Sequence, residues 1–228
     1  MRLHTMTVIS LSALAVLALE GCSIGSTSST DPASSKAASS ESASASALLS
    51  SAELAKWLLD ESDLGEGYTR TPQRPAARDD VSVIGCPALE KLGADAATGA
   101  GLDFSRKAKA SFAYVGGGDS EVSEELYSDS AEKLSKDIGQ IFDAMVSCPT
   151  YQVASGSAVI DMGTQVTAAP DLGDEQWSQL LTYSIGGQHS VVKQTAVRAG
   201  NVLVVVSGST GLVDASLEKA VAKVQAAS

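Results

Sequence analysis

The chain contains 228 residues, of which 44% are hydrophobic and only 4% aromatic, and its formal net charge at pH 7 is −11. An acidic chain without a basic cluster lacks the positive surface that nucleic-acid binding requires, so we exclude nucleic acid as a partner. The same charge provides no attraction to anionic lipid headgroups. With two histidines and three cysteines, the sequence offers few zinc ligands, and we predict neither a metal site nor a cofactor.

The first 21 residues have the pattern of a secretory signal peptide. The apolar run of residues 8–19 is too short to span a bilayer, because about 20 apolar residues are needed. Leu19, Gly21 and Cys22 resemble the lipobox of bacterial lipoproteins. This resemblance implies cleavage before Cys22 and a thiol that carries diacylglycerol, so palmitate or a similar acyl chain is the expected membrane anchor. Glu20 departs from the motif, which usually has a small or hydroxyl residue there.

Residues 22–47 form the next segment. After Cys22 they are almost entirely serine, alanine, threonine and other small polar residues, with no aromatic side chain. Such a segment cannot bury enough apolar surface to offset the entropy cost of ordering, so we expect a disordered tether. A flexible chain of about 25 residues has an r.m.s. span of roughly 25–30 Å. Residues 48–228 then remain as one extracytoplasmic domain, which is large enough for a hydrophobic core.

The remaining cysteines predict a disulfide. With Cys22 used by lipid, Cys86 and Cys148 are an even pair in an oxidising compartment. In the chain-entropy model, closing a loop of about 60 residues stabilises a fold by roughly 4 kcal/mol. A redox-active pair is the alternative, but such pairs usually have a Cys-x-x-Cys spacing or an electropositive setting. Neither feature is visible in the sequence.

The first half of the domain predicts alternating helices and strands. Ser50 and Glu53 have the spacing of a capping box, which begins a helix that ends near Asp60. Pro87 suits the first turn of a short helix over residues 87–92. Asp129 is expected to cap a long amphipathic helix that ends at Cys148. The predicted strands of this half are Tyr68–Thr71, Lys107–Tyr114 and Glu121–Tyr127.

The second half is rich in strands. We predict Tyr151–Ala154, Ala158–Thr167, Trp177–Ile185, Ser190–Arg198 and Val202–Ser207, followed by a helix over Val213–Ala226. The turns at Gly186-Gly187 and Gly200-Asn201 are typical of hairpins, so the strands should pair antiparallel. We therefore predict an α+β fold, with an antiparallel sheet, helices packed mainly on one face and one disulfide.

Catalytic patterns are weak. His189 is the single histidine of the domain, and a Ser-His-Asp hydrolase would have to use it. No Gly-x-Ser-x-Gly elbow accompanies it, so a solvated turn histidine is the preferred interpretation. Acidic residues cluster in residues 60–66 and 171–175, but without the spacing of an EF-hand, and we interpret them as solvated surface. We predict no catalytic residue.

Several features recur together in one known family. They are the lipobox, the tether and four further stretches: Asp63–Tyr68, the widely spaced Cys86 and Cys148, Leu172–Glu175, and Ala196–Val206. Together they resemble the PknH-type extracellular sensor domain, which occurs on receptor Ser/Thr kinases and on stand-alone actinobacterial lipoproteins. The resemblance implies an α+β domain with an antiparallel sheet and a ligand-binding cleft. The typical domain of that family carries two disulfides, whereas this chain can form only Cys86–Cys148.

These observations favour a non-enzymatic lipoprotein, anchored to the membrane through Cys22, that binds a small molecule or an envelope protein. We expect a partly apolar cleft flanked by the loops around Tyr68, Gly117 and Gly186. The candidate ligand-binding aromatic residues are Tyr68, Tyr114 and Trp177. A cell-wall hydrolase built on the histidine is one alternative. A structural docking protein, which a large exposed apolar patch would favour, is the other.

Overall fold

A computed structural model describes residues 48–73, 81–93, 104–116 and 120–227. These residues belong to one compact unit, Ala43–Ser228. The predicted signal peptide, the lipidation site Cys22 and the tether lie outside the described residues, and so does Gly117 of the expected cleft.

Within the described residues, nine strands form one antiparallel sheet. In chain order they are β1 (Tyr68–Arg70), β2 (Val81–Ile84), β3 (Lys107–Tyr114), β4 (Glu121–Ser128), β5 (Thr150–Ser155), β6 (Ala158–Val166), β7 (Glu175–Ile185), β8 (Gln188–Ala199) and β9 (Val202–Gly208). In space they are ordered β1-β3-β4-β9-β8-β7-β6-β5-β2. The short strands β1 and β2 therefore form the two edges of the sheet, and β9 lies inside it between β4 and β8.

Five helices are found in the same part of the chain. They are α1 (Ser51–Trp57), α2 (Glu61–Leu64), α3 (Pro87–Leu92), α4 (Ala131–Ser147) and α5 (Thr210–Ala226). The α+β class and the antiparallel pairing are confirmed. The placement of the helices differs from the expectation of one main face, because α3 and α4 pack on one face of the sheet, whereas α1 and α5 pack on the other.

The sequence of β9 explains why both faces are covered. Leu203 and Val205 belong to the core beneath α4, whereas Val202, Val204 and Val206 belong to the core beneath α5. None of these five side chains is more than 5% exposed. Successive side chains of a strand point to opposite faces, so a strand that is apolar at every position requires a cover on both.

The predicted disulfide is present and joins two helix ends. Cys86 is the N-cap residue of α3 and Cys148 the C-cap residue of α4. Their Cα atoms are 5.6 Å apart, and the bond closes a loop with a sequence separation of 62. The disulfide therefore fixes α3 against α4 on one face of the sheet.

The first helix ends at Trp57 rather than near Asp60, and Leu59 shows the reason. Its backbone N–H donates to Glu124 Oε2 at 2.5 Å, and its carbonyl accepts from Arg70 Nη2 at 3.1 Å. Both groups are thereby withdrawn from the helical hydrogen-bond pattern. Asp60 then caps α2, a helix that the sequence did not predict.

Two other boundaries differ from the prediction. Ser130, not Asp129, is the N-cap of α4, and its side chain accepts from Lys133 N at 3.3 Å. Asp129 instead accepts the N–H of Ser130 at 2.8 Å. The edge strand β2, which ends two residues before Cys86, was not predicted either, although three of its four residues are β-branched.

Glu124 places a carboxyl group inside the α5 core. The residue is 0% exposed, and among the described residues its Oε1 has no hydrogen-bond partner. Burial raises the pKa of this carboxyl from 4.5 to about 7, and the nearby carboxylate of Asp63 adds to the increase. The Leu59 N–H and the positive charges of Lys223 and Arg70 act in the opposite direction.

Replacement of both Cys86 and Cys148 by serine should lower the free energy of unfolding by up to about 4 kcal/mol, because the unfolded chain gains the entropy of the opened loop. Urea unfolding followed by far-UV circular dichroism measures the change. The reduced wild-type protein is the control and should lose a similar amount. An unchanged unfolding midpoint in both samples would contradict the stabilising role.

Glu124 should make stability depend on pH. Between pH 4.5 and 7 the folded protein keeps a proton that the unfolded chain releases, so the free energy of unfolding should fall as pH rises through this interval and level off above it. The total decrease should be roughly 3 kcal/mol. Glu124→Gln should remove it, whereas the control Glu121→Gln, at the exposed start of the same strand, should retain the wild-type profile. A decrease that persists in Glu124→Gln would overturn this assignment.

Candidate functional site

A polar groove lies on the face of the sheet that carries α4, over the ends of β3, β4, β9 and β8. Its volume is about 610 Å³. Three serines line it from adjacent strands, because Ser111 pairs with Ser123 and Ser123 pairs with Ser207. Paired residues on neighbouring strands share a face, so their side chains form one row across three strands. We call this site the serine groove and define it by these three residues.

The serine row continues beneath α4. Ser207 pairs with Gln194 of β8, and Gln194 pairs with Gln179 of β7. Gln179 is 0% exposed, and its Nε2 lies 2.9 Å from Gln194 Oε1 and 3.2 Å from Met145 Sδ. Its Oε1 lacks a hydrogen-bond partner among the described residues. A continuous line of neutral polar groups therefore runs from the covered core into the open groove.

The groove adjoins a second pocket of about 850 Å³, with which it shares Lys109 and Ser111. The charges at this junction are paired. Lys109 Nζ lies 2.5 Å from Glu125 Oε1, and the hydroxyl of Tyr127 donates to the other oxygen of Glu125. Burial and this neighbouring carboxylate raise the pKa of Tyr127, so the phenol stays protonated. The groove consequently presents hydroxyls, the paired ammonium of Lys109 and the carboxylate of Glu121.

The groove overlaps only in part with the cleft expected from the sequence. Thr71, Glu121 and Ser190 line it, and they belong to the segments that follow Tyr68, the β3–β4 turn and the β7–β8 turn. Tyr68 and the glycines of the two turns are not among its described lining residues. Sequence patterns showed polar residues in these strands, but only the strand pairing reveals that the serines lie side by side.

Tyr68 and Tyr114 are brought together on the opposite face of the sheet. They pair across β1 and β3, and their ring centroids are 5.3 Å apart. Tyr114 lies two residues beyond Phe112, which belongs to the α5 core, and is 38% exposed. Gly67 and Gly116 leave room for its ring, since a Cβ on either would lie 2.5 Å from it. This tyrosine pair is therefore a firmly packed edge of the sheet.

Trp177 lies away from both tyrosines. It is on β7, four strands from β3 in the sheet, and it packs against the α4 core, with its ring centroid 6.4 Å from that of Phe142. The three predicted aromatic residues do not form one site. The spacing of these three residues along the chain did not predict that Trp177 lies apart from the two tyrosines.

His189 lies on an exposed part of the sheet. Its Nδ1 contacts Ser184 Oγ, its cross-strand partner. Asp161 pairs with Ser184 from the other side and accepts from Gln152 Nε2 at 2.7 Å. The serine thus lies between the acid and the imidazole, whereas a catalytic triad requires the imidazole in the middle. This row does not have the geometry of a hydrolase.

The motif Leu172–Glu175 contributes an ion-pair cluster at one end of the domain. Arg198 Nη1 lies 2.9 Å from Asp174 Oδ2, and Arg198 Nη2 lies 3.2 Å from Glu175 Oε1. Asp174 Oδ2 also accepts the N–H of Gly200 at 2.8 Å. These bonds join the start of β7 to the β8–β9 hairpin, so residues identified through the family resemblance have a structural role here.

The described ranges contain neither a metal-ligand cluster nor a membrane-spanning helix. Within them, no group of three or more His, Cys, Asp or Glu side chains is arranged to hold a metal ion. None of the described helices is long and apolar enough to cross a membrane. The exposed apolar side chains of Ile84, Val159 and Val191 lie on β2, β6 and β8. They are scattered among polar residues, which is normal for a protein surface.

Comparison with known proteins identifies the fold. No protein-family model and no curated protein sequence matches the chain. Among solved structures, the extracellular domain of PknH from Mycobacterium tuberculosis is similar, with a TM-score of 0.59 and 16% sequence identity, over 79% of this chain and 98% of that chain. The Mycobacterium smegmatis ortholog of Rv0999 aligns over 75% of this chain and 96% of that one, with a TM-score of 0.43 and 14% identity. The fold implied by the sequence motifs is therefore confirmed: the described domain has the fold of the PknH extracellular domain.

Proposed function

We propose that the protein is a membrane-anchored extracytoplasmic lipoprotein whose sensor-like domain binds a neutral polar ligand in the serine groove and catalyses no reaction. The observation that carries this proposal is the polar row from Ser111 through Ser207 to Gln179. The row begins at Gln179, which is buried beneath α4 against Met145, and ends in the open groove.

The polar row is costly for the fold alone. A buried amide with an unpartnered oxygen destabilises a core, and an apolar residue at Gln179 would avoid that cost. Departures from consistent apolar packing are characteristic of functional sites. Serine hydroxyls both donate and accept hydrogen bonds, so they suit a ligand rich in hydroxyl or amide groups.

The chemistry of the groove supports binding rather than catalysis. A serine nucleophile requires an adjacent general base. Among the described lining residues, the candidate bases are Lys109, which is paired with Glu125, and Glu121, whose cross-strand partner is Ala113 rather than a serine. His189, the only histidine in the sequence of the domain, contacts Ser184 in an exposed row, and no acid among the described residues pairs with it.

The anchor and the location rest on the sequence together with the fold. The lipobox at Cys22 follows an apolar run of signal-peptide length. The solved structure with the same fold is an extracellular domain. A domain held at the outer side of the membrane by a lipid anchor is well placed to sample ligands of the envelope.

Cys22→Ser should release the protein from the membrane, because it removes the thiol that the lipobox assigns to the lipid anchor. Fractionation of cells into membrane and soluble material, followed by immunoblotting, measures the shift. Ser23→Ala is the matched control and should remain with the membrane. Retention of Cys22→Ser in the membrane fraction would contradict lipid anchoring.

Ser123→Leu should abolish ligand binding, because the larger apolar side chain fills the centre of the serine groove. Native mass spectrometry of the protein purified from its own envelope should detect a co-purifying mass that dissociates on denaturation. Ser82→Leu, at an exposed position of β2, makes the same chemical change outside the groove and should retain that mass. An equal amount of bound ligand in Ser123→Leu would refute the serine groove as the site.

A further inference from the structure

A separate cavity of about 500 Å³ lies at the other end of the domain, where the first and last described residues meet. It is bounded by the beginning of the domain, α1, the loop before β7, the β8–β9 turn and the end of α5. The lining residues that matter here are Leu49, Trp57, Asp174, Gly200 and Gln225. We call this cavity the Trp57 pocket.

One wall of the pocket is held in place by backbone contacts. Gly173 lies so close to β8 that a Cβ would be 2.5 Å from the carbonyl oxygen of Arg198. The N–H of Asp174 donates to that same oxygen at 2.8 Å. From the opposite wall, Gln225 Nε2 donates to the carbonyl of Leu172 at 2.9 Å. The cavity is therefore built between fixed elements.

The side of the pocket formed by the start of the domain and α1 is apolar and aromatic. Leu49 and Trp57 are both half-buried and pack against the α5 core. The N–H of Leu49 donates to Ser128 Oγ at 2.9 Å, which fixes the start of the domain next to β4. An indole ring attracts cations to its face, and it is the best of the aromatic side chains for this purpose.

The charge around the pocket is negative. Asp174 is the one charged residue among the described lining residues, and its side chain is 54% exposed. Arg198 contacts it but is shared with Glu175, so two carboxylates face one guanidinium. The C-terminal end of α5 also borders the pocket through Gln225 and Ala227. A helix C-terminus carries a partial negative charge, which favours cations.

We propose that the Trp57 pocket binds an organic ammonium cation. The indole would contact the alkyl groups of the ammonium, while Asp174 and the end of α5 would supply the compensating negative charge. The volume is within the usual range of small-molecule sites. The site is independent of the serine groove, which lies on a different part of the sheet and offers neutral hydroxyls.

The test uses choline as the cationic probe and 3,3-dimethylbutanol as its neutral isostere. In a Trp177→Phe variant, Trp57 is the sole tryptophan, so its fluorescence reports on the pocket directly. The processed lipoprotein, in nonionic detergent, should give a saturable response to choline. The neutral isostere should bind roughly tenfold more weakly, because it lacks the charge that the ring and the carboxylate attract.

Two further variants replace Trp57 itself, so their choline binding is measured by isothermal titration calorimetry, which needs no fluorescent reporter. Trp57→Leu keeps an apolar side chain but removes the ring and should eliminate choline binding, whereas Trp57→Phe should retain part of it. Circular dichroism verifies that both variants are folded. Equal binding of the two probes, the absence of a saturable response to choline, or full choline affinity in folded Trp57→Leu would each overturn the proposal.

Discussion

The burial of β9 on both faces is the constraint on which the rest of the structure depends. Five consecutive aliphatic residues, Val202–Val206, alternate between two cores. Full burial of such a side chain stabilises a fold by about 1.5–3 kcal/mol, so exposing either face of this strand would be costly. One helix must therefore lie on each face, and α4 and α5 meet this requirement. The disulfide fixes α3 to the end of α4 and makes one of these covers rigid.

The two candidate sites lie where these covers end. The α4 core includes residues of β2, β4 and β5–β9, and beyond it the same face continues at the ends of β3, β4, β9 and β8 as the serine groove. The α5 core ends near Gln225, where the start of the domain and the β8–β9 turn enclose the Trp57 pocket. A sheet that is wider than either helix layer thus leaves one concave surface on each side. The first carries neutral hydroxyls and the second an aromatic ring beside negative charge.

Local patterns predicted much of the fold. Several features depend on only a few neighbouring residues: the capping box at Ser50, the proline that begins α3 and the hairpin turns. The disulfide was predicted because two cysteines remain once Cys22 is assigned to the lipid. The features that were missed depend on distant contacts. Leu59 ends α1 through Glu124, 65 residues away in sequence, and the serine groove joins Ser111 to Ser207 only through strand register. Tyr68 and Tyr114 lie next to one another, whereas Trp177, which its sequence context did not distinguish from a core residue, lies on a distant strand.

Hydrogen–deuterium exchange, resolved by peptide and compared before and after incubation with an extract of the cell envelope, tests the role of the serine groove most directly. Peptides of β9 should be protected in both states, because that strand is buried throughout. The extract should slow exchange in β3, β4 and the segment around Ser190, which border the groove. Protection restricted to β5–β7, with no change along β3 and β4, would contradict the assignment of this groove as the ligand site.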